Sequence, residues 1–287
     1  MKLLKRVFFG LTLSLILVFS SSSSVSAHQP QIPQAFPVTV NTPEVSKAFY
    51  SVTGSTPQVY KITSDKTFDL YVNILVPDIP NQSKDLFVSV VKKEKADRQI
   101  AYLDGTKFVW KKMFEPFGYD NYLQGGEFKT QAIAGSYEVV VTSKTPDTKY
   151  VLATGETEAF GLQDSLNTIS IMPMLKTNFF NTSPIYFLLS PIGASYAAIL
   201  IVLAFIFGFI FSFIMKKFAK GKVRRLTMNI GVSDRLLRFV LAVFLFVIAV
   251  TTTWNALFIF AAGFCLFEAI FSWCGVYALM GKNTCPV

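Results

Sequence analysis

Between His28 and Asn181 apolar and polar residues alternate with a period of two. FDLYVNILV puts Phe68, Leu70, Val72, Ile74 and Val76 on one face, and YEVVV does the same with Tyr137, Val139 and Val141. Such alternation makes one side of an extended chain apolar, the condition for a half-buried strand. Pro77-Asp78, Gly125-Gly126 and Gly135-Ser136 punctuate the runs. Asp104-Gly105 between IAYL and TKFVW permits positive φ at both centres of a tight hairpin turn. Short strands, frequent turns and no long amphipathic helix predict an antiparallel all-β sandwich over residues 28–160.

After Gly161 the period changes, with Leu166, Ile169, Met172 and Leu175 near helical spacing before Asn178-Phe179-Phe180-Asn181. Residues 161–184 therefore read as a juxtamembrane linker, with an interfacial helix carrying phenylalanines at the membrane surface as one form. An ordinary linker or one more buried strand fits the same pattern. From Pro184 to Met215 there is no charge. Residues 194–215 alone reach about 33 Å as a helix, enough to cross a hydrocarbon core of about 30 Å. Further apolar runs predict transmembrane helices at 234–253 and 256–280, broken at Thr251–Asn255 into a hairpin. The loop 216–233 between the first and second spans carries Lys216, Lys217, Lys220, Lys222, Arg224 and Arg225, which the positive-inside rule assigns to the cytoplasm.

The chain is thus expected to be a multi-domain membrane protein: an extracytoplasmic sandwich followed by three transmembrane α-helices. Its 52% hydrophobic content agrees. Residues 1–27 have three Lys/Arg, an apolar stretch and Val25-Ser26-Ala27, the pattern of a cleaved signal peptide. The net charge of +9 divides into +3 for residues 1–27, −1 for 28–184 and +7 for 185–287. The excess therefore lies beside apolar segments, as membrane-orienting charge does, and no nucleic-acid partner is expected. Ala204, Gly208 and Ser212 lie four apart on one helix face, a spacing that allows close helix approach in lipid. The helices are expected to contact the bilayer and to associate into a homo-oligomer.

At the carboxyl end the pattern is more specific. Asn229, Gly231, Asp234, Arg235 and Arg238 precede the first hairpin span, and Cys274, Tyr277, Gly281, Thr284 and Cys285 follow the second. With N-x-G-x-x-D-R-x-x-R, two spans and a closing C-x-x-Y-x-x-x-G-x-x-T-C, residues 226–287 resemble the YgaP-like two-helix inner-membrane domain. The resemblance implies a membrane unit in a prokaryotic inner membrane, with a membrane part that dimerises. The best-known family members carry a cytoplasmic rhodanese domain for sulfur chemistry, but no rhodanese-like segment is read in this chain. Gly275 stands where the family has proline, and is expected to loosen the helix end after Cys274. The stretch GSYEVVVTSKTPDTKYVLATGE resembles the paired closing strands of pre-peptidase C-terminal domains, which implies a jelly-roll-like sandwich.

Candidate chemistry is sparse. Cys274 and Cys285 are placed at the cytoplasmic face, where a structural disulfide is not expected; reactive thiols, or four thiolates shared by a dimer around zinc, remain open. Glu268 is the acid within the last span, about 18 Å from the outer end, and Arg238 lies about 22 Å from it. Glu268 is expected to pair with Arg238 or with a neighbouring subunit's arginine, because an unpaired charge in lipid is costly; a proton or ion relay, as in a small pore or transporter, is the alternative. His28 is the single histidine and no cofactor is expected, although the new amino terminus invites a copper test. One histidine and no external cysteine exclude Ser-His-Asp, Cys-His and HExxH sites. Trp110, Tyr119, Asp120, Tyr122 and Glu127 form a candidate ligand loop, whose aromatics and carboxylates suit a sugar or Ca²⁺; core packing is the plainer role. The expected function is non-enzymatic: a membrane-anchored sandwich that binds or senses an extracytoplasmic protein or glycan. A membrane thiol or sulfur-handling protein is the alternative.

Overall fold

The computed structural model describes residues 28–219, 223 and 227–285. The segment read as a signal peptide, and Lys220, Lys222, Arg224 and Arg225 of the basic loop, lie outside the described residues. The chain divides into a β-rich unit that ends at Thr182 and a helical unit that begins at Ser183.

The β unit has two sheets. The first is ordered β1 (Gln29–Gln31), β3 (Lys47–Val52), β11 (Lys149–Thr154), β5 (Phe68–Pro77), β9 (Asp120–Ala132) and β8 (Lys111–Glu115). The second is ordered β2 (Val38–Val40), β4 (Gln58–Ser64), β10 (Gly135–Ser143), β6 (Leu86–Lys93) and β7 (Arg98–Asp104). Pairing is antiparallel apart from β1 with β3 and β2 with β4. The alternating residues of β5 point inward with those of β10, and Phe68, Leu70, Val72, Ile74, Val76, Tyr137, Val139 and Val141 join one core. Burial of such side chains is the main force holding two sheets together.

The stretch QPQIPQAFP supplies β1 and leads into β2, each paired in parallel with an inner strand. One expectation about this unit needs correction. Asp104-Gly105 is not a hairpin turn: β7 belongs to one sheet and β8 to the other, so the chain crosses between layers here. Asp104 Oδ1 accepts from Thr106 N at 3.1 Å and Thr106 Oγ1 at 2.6 Å, bending the chain locally. Gly105 is required by proximity instead of by φ. A Cβ there would meet Lys84 O at 2.5 Å and Leu86 O at 2.6 Å.

Residues 162–179 form α1 (Leu162–Met174) and a π-helical turn (Leu175–Phe179). Met172, Leu175, Phe179 and Phe180 are buried within the β unit. Phe179 stands edge-on to Tyr50 and Phe180 edge-on to Tyr122, both at 5.2 Å between centroids. These phenylalanines therefore belong to a protein core and not to a membrane interface.

The helical unit starts with a 3₁₀ turn (Pro184–Leu189), then α2 (Pro191–Phe218), α3 (Val232–Thr251), α4 (Ala256–Phe271) and α5 (Gly275–Met280). Ser190 caps α2 by accepting from Gly193 N at 3.0 Å. With 28 residues α2 extends about 42 Å and is apolar enough to cross a membrane. Leu203, Phe207 and Ile210 of α2 and Val240, Phe244 and Val247 of α3 remain exposed, a surface suited to hydrocarbon and not to water. The expected helix 256–280 is interrupted: α4 ends at Ser272, which takes left-handed geometry (φ 55°), and α5 starts anew at Gly275.

Candidate functional site

The break between α4 and α5 is organised by Asn229. Its amide donates to Cys274 O at 2.9 Å, and its carbonyl accepts from Cys274 N at 2.8 Å. Asn229 N and Ile230 N donate to Ser272 O at 2.9 and 3.2 Å. A helix interrupted among apolar neighbours leaves backbone groups that must find partners, and this asparagine supplies them. The tail closes the arrangement. Thr284 N donates to Asn229 O at 3.2 Å, while Thr284 Oγ1 accepts from Gly231 N at 3.0 Å and donates to Asp234 Oδ2 at 2.5 Å. Gly231 is confined by the tail, since a Cβ there would lie 2.1 Å from Thr284 O. Gly281 has positive φ (69°) as the C-cap of α5. The scattered signature residues on both flanks of the hairpin thus meet in one polar knot.

Arg235 Nε donates to Ala269 O at 2.9 Å, a further tie between α3 and α4. Arg238 Nε lies 3.2 Å from Glu268 Oε2, a charge contact in which the N–H is not aimed at the carboxylate. Arg238 also lies 5.1 Å over the Tyr277 ring. Ala204 and Gly208 are filled by α4 of the same chain. A Cβ at Gly208 would meet the Phe267 ring at 2.4 Å, and one at Gly263 would meet Ala204 Cβ at 2.9 Å. Ser212, one turn on, is half-buried. Gly275 serves the same close approach, because a Cβ there would meet Phe211 Cε1 at 2.5 Å and Met215 Cγ at 2.8 Å.

Cys274 and Cys285 are both free thiols, and they occupy different settings. Cys274 is buried, whereas Cys285 is half-exposed with its sulfur 3.6 Å from Ile230 O.

The second cluster lies in the β unit and joins the β8–β9 turn to the π-helical turn. Lys176, with no exposed surface, donates to Asp120 Oδ1 at 2.6 Å, Gly118 O at 2.5 Å and Tyr119 O at 3.0 Å. Asp120 Oδ2 is buried without a partner. Glu115 stands opposite Asp120 across the hairpin and accepts from Phe117 N and Gly118 N, both at 2.6 Å. Burial pushes the Glu115 carboxyl up to about 7 and the Asp120 carboxyl up to about 6, the latter opposed by the Lys176 charge. Burial likewise pulls the Lys176 amine down, against the attraction of Asp120 and Glu115. All three groups are moved toward neutrality by the loss of water. Nearby, Lys149 holds the following residues by donating to Asn178 O at 2.6 Å and to Phe179 O and Asn181 Oδ1 at 3.0 Å.

This arrangement disperses the candidate ligand loop. Asp120 and Tyr122 are buried on β9, where Tyr122 shares a hydrogen bond with Tyr50 at 2.7 Å. Trp110 donates to Gly105 O at 2.9 Å and packs on Phe108. Glu127 accepts from Tyr71 at 3.3 Å. Of the five, Tyr119 alone is an exposed aromatic, with φ 61°. The Asp120 carboxylate is committed to Lys176 through Oδ1. His28 contacts Ser46 through Nδ1 and is held below its usual range by burial, against the charge of Glu158. It lines a cavity of ≈ 30 Å³ together with Tyr50, Met113, Glu115, Gly118 and Met172. An open groove of ≈ 340 Å³ lies elsewhere, between Lys92, Arg98, Ile100, Phe128, Ile133 and Tyr137.

Lys176 and Glu115 escaped the sequence reading. The available signal was a single charge set among aromatic and apolar neighbours, in MLKTNFF and MFEPFGY.

Two solved structures are among those similar to the chain. A Yersinia pseudotuberculosis-derived mitogen is 11% identical over 42% of this chain and 92% of its own, with a TM-score of 0.27. The pre-peptidase C-terminal domain of a Bacillus anthracis collagenase is 10% identical over 45% and 95%, with a TM-score of 0.24. No curated protein matches the chain in sequence. Residues 226–287, which contain the knot, match the family described as "Inner membrane protein YgaP-like, transmembrane domain".

Proposed function

We propose that this protein is a multi-pass protein of a prokaryotic cell membrane that carries its β unit outside the cytoplasm as a binding or sensing module. Its spans are α2, α3 and α4 continued by α5. The observation that carries the proposal is the placement of charge. No charged side chain occurs from Ser183 to Met215 or from Phe239 to Phe267, and these two stretches meet at the end marked by Trp254. There Trp254 donates to Pro184 O at 3.1 Å and packs on Phe187 at 4.9 Å. At the opposite end Lys216 lies 4.8 Å over Trp273 and Lys282 lies 4.6 Å over Tyr277. The positive-inside tendency gives that cationic end to the cytoplasm, so the segment before Ser183 is external.

The binding role is read from the open groove of the β unit. The cavity of ≈ 30 Å³ has room for water alone, against about 300–1,000 Å³ for ligand pockets. The open groove, with Lys92 and Arg98 beside apolar side chains, suits the surface of a protein or glycan partner. Protease accessibility of the β unit in intact and permeabilised cells tests the orientation.

A further inference from the structure

We propose that Lys176 and Asp120 are joined by an intramolecular isopeptide bond, formed by the chain itself with Glu115 as the proton carrier. The geometry has the required parts. Lys176 Nζ is already 2.6 Å from one oxygen of the Asp120 carboxyl, and both side chains are excluded from water. The other oxygen, Asp120 Oδ2, has no hydrogen-bond partner in a buried site, where such groups are nearly always paired. Glu115 Oε2 and Asp120 Oδ2 both border Gly118: a Cβ there would lie 3.1 Å from the first and 2.7 Å from the second. The cluster is walled by Tyr122, Tyr50, Phe179 and Phe180, and the Phe180 ring centroid is 5.8 Å from Nζ.

Amide formation needs a neutral amine as nucleophile and a neutral carboxyl as electrophile. Burial drives Lys176 and Asp120 toward those forms, and a Glu115 carboxyl titrating at about 7 can both give and accept a proton. Nζ, which donates to three acceptors, first passes a proton to Asp120 Oδ1 within the pair; the lone pair so freed attacks Asp120 Cγ, and a C–N bond forms. Nζ gives up a proton to the Glu115 carboxylate, and Glu115 returns one to the departing hydroxyl as the C–O bond breaks. The sum is one amine and one carboxylic acid converted to one amide and one water, with no change of oxidation state. The cavity of ≈ 30 Å³ beside Glu115 is large enough for that water, which needs roughly 10–15 Å³. The bond would tie the π-helical turn to the β8–β9 turn. It would fix the carboxyl end of the β unit, just before the chain leaves at Thr182, to the sheets.

The test is mass spectrometry of the full-length protein, extracted in detergent, denatured and digested. A peptide pair containing Asp120 and Lys176, covalently joined and lighter than its sum by one water, is the expected result. Lys176→Arg is expected to abolish the joined pair, and Glu115→Gln to reduce it at least tenfold. Separate, unmodified peptides from the wild-type chain overturn the proposal. A Glu115→Gln chain that is joined as completely as wild type overturns the part given to Glu115.

Discussion

Asn229 and Cys274 exchange two hydrogen bonds, 2.9 Å from the asparagine amide to the cysteine carbonyl and 2.8 Å from the cysteine N–H to the asparagine carbonyl. They stand on opposite flanks of the α3–α4 hairpin, and the exchange replaces bonds that the interrupted helix lacks. Asn229→Leu is expected to leave the buried Cys274 N–H unpaired and to strip one of two donors from the Cys274 carbonyl, which keeps Ala278 N at 3.0 Å. Such an unpaired buried group costs about 1–3 kcal/mol. The melting temperature of the detergent-solubilised protein should fall clearly, and Asn229→Asp, which keeps the acceptor but loses the donor, should fall between.

Gly275 is the point at which α2 reaches the break, with Phe211 and Met215 against its missing side chain. Gly275→Ala forces these residues aside, and overpacking of this kind costs about 1–3 kcal/mol. The double variant Gly275→Ala, Phe211→Ala should recover part of the loss. A thermal-shift cycle on the four proteins reads the coupling.

The two carboxyl-end cysteines should react differently. Cys274 is 4% exposed and backbone-bound to Asn229, so a maleimide should label Cys285 well before Cys274 in folded protein. Single-cysteine variants, with Cys265 also removed, measure the two rates. Equal rates would restore Cys274 as a candidate reactive thiol.

Glu115 has a folded pKa of about 7 against an ordinary 4.5. The folded state therefore binds more protons than the unfolded state between these values, and stability from this group falls as pH rises from about 4.5 to 7. The full effect is on the order of 3 kcal/mol. His28 lines the same cavity and, held below its ordinary 6.5, works in the opposite direction: its contribution is present above 6.5 and lost on acidification. Asp120, raised like Glu115 but less far, adds to the fall, and the lowered Lys176 acts toward the alkaline side. Both drop out where the amide has formed. Comparing wild type with Glu115→Gln across pH 4.5–7 isolates the glutamate, and the variant should show the flatter loss.

Local periodicity carried most of what was legible. The inward face of β5 could be read because alternation in FDLYVNILV depends on strand geometry alone. Asp104-Gly105 misled because its glycine answers to Lys84 and Leu86, neighbours in space. The helical spacing of Leu166 to Leu175 was visible, but the partners of the phenylalanines that follow it were not: Phe179 and Phe180 pack on Tyr50 and Tyr122, far away in sequence. Ser272 offers no glycine or proline to mark the helix break, which is held by Asn229 across 45 positions. Helix-rise arithmetic put Arg238 and Glu268 near the same depth, and they stand 3.2 Å apart. Lys176 and Asp120, 56 positions apart, had no local pattern to join them.

The account turns on the side of the membrane that holds the β unit. Protease added to intact cells, with the outer envelope opened where one exists, should degrade the β unit while leaving a cytoplasmic control protein whole. The helical unit with its tail at Cys285 should become accessible only after the membrane is permeabilised. A β unit protected until permeabilisation, with the tail cut from outside, would contradict the proposed orientation.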